Sequence, residues 1–360
     1  MAGPEGIAQS DVVTRTGLKA PTVFRIFNNL ELMNYIEMCG KPDEPAVSIK
    51  KKGRKPVRYK IKPKTFFTIG VDFWEKHFYA ELFDLAGEKK QVITQTFKTN
   101  AVESVVETII RAIKDLIADA GLSNEQVLGI GIGAPGQVDL ISRSIVHYPG
   151  IQGINNYPLC EKIEQACSIP AFIHNNCAVL GMQAAEQYAV NESLFLMIVR
   201  RGINGVFIQN RTPFVFKNSK TIEFGHIPIF SSDEQCSCGS RGCLEAVISR
   251  LDKHSGGDWL FEPYYNRVEA LQSDIQLFDD LINVFTSSVL SIRRLFDPHV
   301  FLLMTGDLGF SESLCTSVQQ KMQECQSVFD EGDFILQPIV YDPENALHGA
   351  SKLVIEHILS

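Results

Sequence analysis

Apolar residues recur along this chain with two different periods, and the places where the period changes outline its parts. Val23, Ile26, Phe27 and Leu30 fall at i, i+3, i+4 and i+7, the stripe of an amphipathic helix, and predict one over 20–32. Ile7, Val12 and Val13 predict a shorter helix over 7–13, with Ser10 and Asp11 capping or flanking its start; Thr16-Gly17-Leu18 breaks the two apart. The period then drops to two. Val57, Tyr59 and Ile61 alternate at the end of a basic run, and Phe67, Ile69, Val71 followed by Phe78, Ala80, Leu82 predict two paired strands within 65–85. An amphipathic helix over 101–120 and a buried strand over 127–132 follow. Strands alternating with helices predict an α/β fold.

A chain of 360 residues exceeds one ordinary core and fits two or three domains. No apolar run approaches the ~20 residues that span a bilayer. The opening MAGPEGIAQSDVV lacks the basic-then-apolar order of a signal peptide. Of nine cysteines, three cluster and six (Cys39, Cys160, Cys167, Cys177, Cys315, Cys325) are scattered without a disulfide rhythm. The expected compartment is therefore the cytoplasm, with no membrane partner.

Charge sharpens the division into parts. Twelve Lys and Arg against six Asp and Glu give 1–62 a net charge of +6, which leaves −14 on the remainder of a chain whose total is −8. A basic head on an acidic body is the footprint of a nucleic-acid-binding module joined to a sensor. The two predicted helices, joined through a glycine-containing turn, match a helix-turn-helix. The second would expose Lys19, Thr22, Arg25 and Asn29 to phosphates and base edges. The run from Lys50 to Lys60 turns at its centre and reads as a β-wing whose tip would carry Arg54 to a minor groove.

The densest chemistry lies between Glu223 and Glu245, in EFGHIPIFSSDEQCSCGSRGCLE. His226, Cys236, Cys238 and Cys243 supply one imidazole and three thiols, a ligand set for a closed tetrahedral zinc site. Gly239 and Gly242 lie between the thiols, where a chain wrapping a metal needs positive φ.

This run, Glu-x-Gly-His followed by Cys-x-Cys-Gly-x-x-Gly-Cys-Leu-Glu, resembles the signature of the ROK family of bacterial sugar kinases and sugar-responsive repressors. Ala134-Pro135-Gly136-Gln137-Val138-Asp139 resembles the family's Pro-Gly-x-Val-Asp turn, and Leu159 to Asn176 its Pro-Leu helix and following strand. The likeness runs from about Phe66 to the C-terminus. The head, with Gly53-Arg54-Lys55-Pro56, resembles the winged helix-turn-helix of the repressor branch, typified by the xylose and N-acetylglucosamine repressors; such heads begin with a further helix, and this chain starts too late to contain all of it.

The resemblance implies a winged helix-turn-helix domain over 1–62 and a two-lobed actin-like, ribonuclease-H-like ATPase fold over 66–360. Lobe one would take 66–185 plus the C-terminal helix near 344–359, which would pack back on it, and lobe two 186–343. It implies sugar ligands at Asn175, Asn176, Glu223, His226 and Glu245, with His226 shared between sugar and a structural zinc. It also exposes departures from the kinase branch. Asp72-Phe73-Trp74-Glu75-Lys76 aligns with Asp-x-Gly-Gly-Thr, and Arg200-Arg201-Gly202-Ile203-Asn204 with a second glycine-rich phosphate turn. Thr305-Gly306 stands for an adenosine-side Gly-Gly, and Asn176 stands where the kinases carry their catalytic Asp. An amide cannot accept the proton of a sugar hydroxyl as a general base does. The expectation is thus a non-enzymatic, sugar-responsive transcriptional regulator, a repressor, acting as a homodimer or homotetramer on a DNA operator and responding to a sugar or sugar phosphate. Two alternatives stand beside it: an ATP-dependent sugar kinase with an appended DNA-binding domain, and a sugar-sensing, protein-binding adaptor.

Overall fold

The head begins with a strand that the hydrophobic stripe does not announce. In the computed structural model, which describes residues 6–39, 57–74, 76–199, 202–216, 221–229, 232–254, 275–305, 308–325 and 334–359, β1 (Ile7–Ala8) precedes α1 (Gln9–Thr16) and α2 (Ala20–Leu32). β2 (Ile36–Cys39) and β3 (Arg58–Ile61) complete a three-stranded antiparallel sheet in the order β1-β3-β2. Ile7 therefore belongs to a strand, paired with Tyr59, rather than to the first turn of a helix. The helix starts later because the Asp11 carboxylate accepts the Ala8 N–H at 3.2 Å and caps it there. Val23, Phe27 and Tyr59 form the core of this unit, with the Phe27 and Tyr59 rings edge to face at 5.0 Å. Ile26, expected on the buried stripe, is 41% exposed. A helix turns about 100° per residue, so once Val23 and Phe27 point at Tyr59, Ile26 falls on the flank.

The body holds two five-stranded sheets of matching plan. The first comprises β4 (Phe67–Trp74), β5 (His77–Asp84), β6 (Lys89–Thr96), β7 (Val127–Ala134) and, beyond the small sheet of β8 (Gln137–Asp139), β9 (Ser144–His147) and β10 (Asn155–Tyr157), β11 (Ala171–Asn175). Its order is β11-β7-β4-β5-β6, with the first three strands parallel and the last two antiparallel. The second comprises β12 (Leu194–Val199), β13 (Ile203–Gln209), β14 (Thr212–Pro213), β15 (Val300–Met304) and β16 (Ile335–Pro338), in the order β14-β13-β12-β15-β16. Here β12, β15 and β16 are parallel.

Helices fill three layers around the sheets. α3 (Val102–Asp119) and α4 (Leu159–Cys167) cover the outer face of the first sheet, burying Ile109, Ile113, Leu116 and Ile163 against Ile69, Val71 and Ile132. α6 (Leu244–His254), α7 (Ile275–Phe296) and α8 (Leu308–Glu324) cover the second sheet, where Phe195, Phe285, Phe301 and Leu314 are fully buried or nearly so. Between the sheets lie α5 (Asn176–Ala184) and α9 (Pro343–Leu359). Their shared core joins Val179 and Met182 of α5 and Ala346, Ala350 and Leu353 of α9 to Leu196, Val206 and Leu302 of the second sheet. α9 also sits directly on the first sheet. A Cβ added at Gly131 would lie 1.8 Å from the Ala350 carbonyl oxygen, and one at Gly70 would lie 2.1 Å from that of Leu347. Glycine at these two positions is what lets helix and strand backbones touch.

Candidate functional site

Ligands of open α/β sheets bind beyond the carboxyl ends of the parallel strands, and β11 and β12 end at Asn175 and Val199. From the first sheet, β11 delivers Asn175 and Asn176. Asn175 is buried and is the N-cap of α5, its Oδ1 accepting the Cys177 N–H at 2.8 Å. Its Nδ2 donates to the Gly136 carbonyl at 2.7 Å, which ties the turn after β7 to the start of the helix. These two bonds leave one N–H and one lone pair of the amide for a ligand. His174 behind it is buried; burial, with His357 nearby, pushes it down to about 4, so its ring is neutral and Nδ1 accepts the Asn175 N–H at 2.8 Å. Asn176 opens α5 and is only partly buried.

From the second sheet come Glu223, His226 and Glu245. Glu223 precedes a single 3₁₀ turn, Phe224–His226, packed against β13. Glu245 lies in the first turn of α6, and its Oε2 accepts the Ile203 N–H at 2.9 Å, which anchors the carboxylate at the start of β13. The two segments are laced by backbone bonds: Ile229 N–H to the Gly242 carbonyl at 2.7 Å and Leu244 N–H to the Ile227 carbonyl at 2.9 Å. The lacing brings the thiols to the imidazole. One ligand atom from each of His226, Cys236, Cys238 and Cys243 lies within 4.8 Å of the others, so the cluster could hold one metal ion. Cys236 Sγ is 3.6 Å from His226 Nδ1, and Cys238 Sγ is 3.7 Å from Cys243 Sγ. Gly239 and Gly242 both take the positive φ expected of them, 92° and 69°. Burial pushes the Cys243 thiol up to about 12, and its bonds to Cys238 and Cys236 push the same way. Three thiolates at such range repel unless a cation lies among them.

In the head, Lys19 is the N-cap residue of α2 and is exposed, as are Arg25 and Asn29, while Thr22 is half-buried. Arg54, with the rest of the basic run through Pro56, lies outside the described residues, as do Glu75, Arg200, Arg201 and Gly306. Two groups near the site were missed in the sequence. The Ile203 N–H that holds Glu245 carries no side-chain signal at all. Tyr341, whose hydroxyl donates to Asp72 Oδ2 at 2.8 Å, is far from that residue in the chain and belongs to no motif. Among the described residues no helix is long and apolar enough to cross a membrane.

The profile of the ROK family matches residues 68–357. The chain is similar to the xylose repressor of Caldicellulosiruptor bescii, 29% identical over 208 residues, which are 55% of this chain and about half the length of that protein (50%). It is 22% identical to the glucokinase of Thermotoga maritima over 315 residues, covering 81% of this chain and 98% of that one. Among solved structures, a ROK family transcriptional regulator, a homolog of the E. coli MLC protein, aligns with a TM-score of 0.77 at 17% identity. That alignment covers 98% of this chain and 93% of the other, and carries the likeness of fold through the head as well as the body.

Proposed function

The chain belongs to the ROK family, and on that premise we propose that it is a sugar-responsive transcriptional repressor of the cytoplasm. Its head is a winged helix-turn-helix that reads an operator through Lys19, Thr22, Arg25 and Asn29, with Arg54 of the wing in the minor groove. Its body binds a monosaccharide through Asn175, Asn176, Glu223, His226 and Glu245. The observation that carries this reading is one chain holding both a helix pair with exposed Lys19, Arg25 and Asn29 and a body in which His226 stands among three thiols close in sequence to the anchored Glu245.

Zinc fits the cluster. A tetrahedral zinc with sulfur at about 2.3 Å and nitrogen at about 2.0–2.1 Å sets S···S edges near ~3.8 Å and S···N edges near ~3.6 Å; Cys238 and Cys243 are 3.7 Å apart, Cys236 and His226 3.6 Å, and all four ligand atoms lie within 4.8 Å of one another. Zinc bound there fixes the tautomer and direction of His226. Nδ1 faces the thiols, which turns Nε2 to a ligand hydroxyl.

Absence of kinase activity is part of the proposal. Asn176 supplies hydrogen bonds to a sugar but no general base. Trp74 puts an indole where the kinases of the family keep a phosphate-binding turn open with glycine. The likeness to a glucokinase keeps the enzymatic reading worth a direct measurement, ADP release over a sugar panel, and turnover there would overturn this part.

Two heads held by a dimer would read the halves of a pseudo-palindrome, and lobe closure on sugar would change their spacing. The test is selection of genomic fragments on the purified protein at near-physiological salt, with and without pooled sugars and sugar phosphates. A discrete palindromic site whose recovery changes with one pool is the expected result. Recovery of random fragments alone, with sugar binding intact, would turn the reading to a sugar-sensing adaptor.

A further inference from the structure

β4 of the first sheet ends at Trp74, and β16 of the second ends at Pro338, three residues short of Tyr341. These two ends are tied together. The Tyr341 and Trp74 rings meet edge to face, 5.1 Å between centroids with planes at 87°. The Tyr341 hydroxyl donates to Asp72 Oδ2 at 2.8 Å, and Asp72 has no exposed surface. Trp74 is held from behind by Tyr79, stacked at 5.6 Å, and by His77 at 5.1 Å. The Tyr341 ring in turn packs on the core that joins α5 and α9 to the second sheet. The segment that leaves the second sheet at β16 and enters α9 is thereby fastened, at Tyr341, to the end of a strand in the first sheet.

The tie lies beside the proposed sugar site. A Cβ built on Gly133 would be 2.7 Å from Asp72 Oδ1 and 3.6 Å from the Asn176 Cα, so both flank the same point of β7. A change in the angle between the sheets acts on the segment that carries Tyr341, since β16 and α9 hold its two ends. A phenol bonded to a water-shielded carboxylate and wedged against an indole makes a contact that breaks rather than gradually stretches when its partners separate.

We propose that Asp72, Trp74 and Tyr341 form an interlobe latch through which occupancy of the cleft is passed to the angle between the lobes. This rests on the sugar-responsive reading above. Tyr341 and Trp74 are positioning residues, and their loss weakens the coupling between sugar and operator rather than sugar binding itself.

The chain has two tryptophans, Trp74 and Trp259, so full-length protein carrying Trp259→Phe reports on Trp74 alone. Neutral aldopentoses, aldohexoses and N-acetylhexosamines are titrated by calorimetry while Trp74 emission is followed, and operator affinity is measured with and without the sugar that binds. Binding is expected to shift the Trp74 emission. Tyr341→Phe keeps the ring and removes the hydroxyl; it should hold the sugar Kd within about threefold while the sugar-induced change in operator affinity shrinks by about fivefold or more. Trp74→Phe, in a chain that keeps Trp259, should lose coupling in the same direction. Normal sugar binding with unchanged emission and undiminished coupling in Tyr341→Phe would remove the latch alone. Failure of the parent protein to bind any of these sugars would remove both the sugar reading and the latch.

Discussion

Glu81 is a carboxylic acid in an unusual place. It is 3% exposed on β5, opposite Gly70, and faces Lys89 of β6 and Asp342 and Glu344 at the start of α9. Burial raises its pKa to about 7, with Lys89 pulling the other way and the two acids adding to the rise. The folded state therefore holds this proton through a range where the unfolded chain has released it. Its contribution to stability is complete below about 4.5 and is lost as the pH climbs through about 7. Glu81→Gln should raise the melting temperature at pH 8, by an amount on the order of 1–3 kcal/mol of stability, and change it little at pH 4.5. Melting curves of both proteins across that range check this; parallel pH profiles would rule it out. The thiols make a second prediction. Cys243→Ser removes one of four donors, and the purified variant should carry well under one zinc per chain by elemental analysis where the parent carries about one.

Among the secondary elements, α9 depends most on what the sheet beneath it lacks. Thr68 Oγ1 and Ser351 Oγ share a hydrogen bond of 2.7 Å within that contact, and Gly131 admits the Ala350 carbonyl. Gly131→Ala must push the helix from the sheet, a cost of about 1–3 kcal/mol or more, and should appear as a lowered melting temperature with no change in zinc content. The segment from Glu223 to Glu245 would depend instead on the proposed metal. Its backbone lacing is short, and three of its four proposed ligands lie within eight residues, from Cys236 to Cys243. Chelation should therefore weaken sugar binding through His226 and Glu245 by tenfold or more, within the ~10–100-fold range for lost support of a ligand, and zinc should restore it. Calorimetry before and after chelation measures the effect.

For the protein as an assembly, the separation of charge between head and body sets the salt response. Arg25→Ala should weaken operator binding and lower the slope of log affinity against log salt by about 1, leaving sugar binding as it was. Titrations at several salt concentrations give both numbers, and an unchanged slope would show that Arg25 touches no phosphate. The matching plan of the two sheets gives such a body a natural moving part. Each lobe has its own outer core, while α5 and α9 lie in the layer between them, so closure can proceed by sliding at that layer without unpacking either outer core.

How much of this was legible in the chain follows from distance along it. The proposed ligand set His226, Cys236, Cys238 and Cys243 spans eighteen residues, and the two glycines between its thiols take the positive φ expected of them. The paired strands β4 and β5, the helix α3, and the exposed Arg25 and Asn29 could likewise be read from patterns repeating over one to five turns or a few alternations. Such features depend on local sterics and ligand chemistry, which residue order expresses directly. Ile7 was misread as helical and Ile26 as buried because pairing with Tyr59 and the limited room around it settled both. The bond from Tyr341 to Asp72 joins positions 269 residues apart, and the raised proton affinity of Glu81 needs α9 folded over it. No local pattern encodes either, because each is a property of which surfaces meet once both sheets and the helices between them have packed.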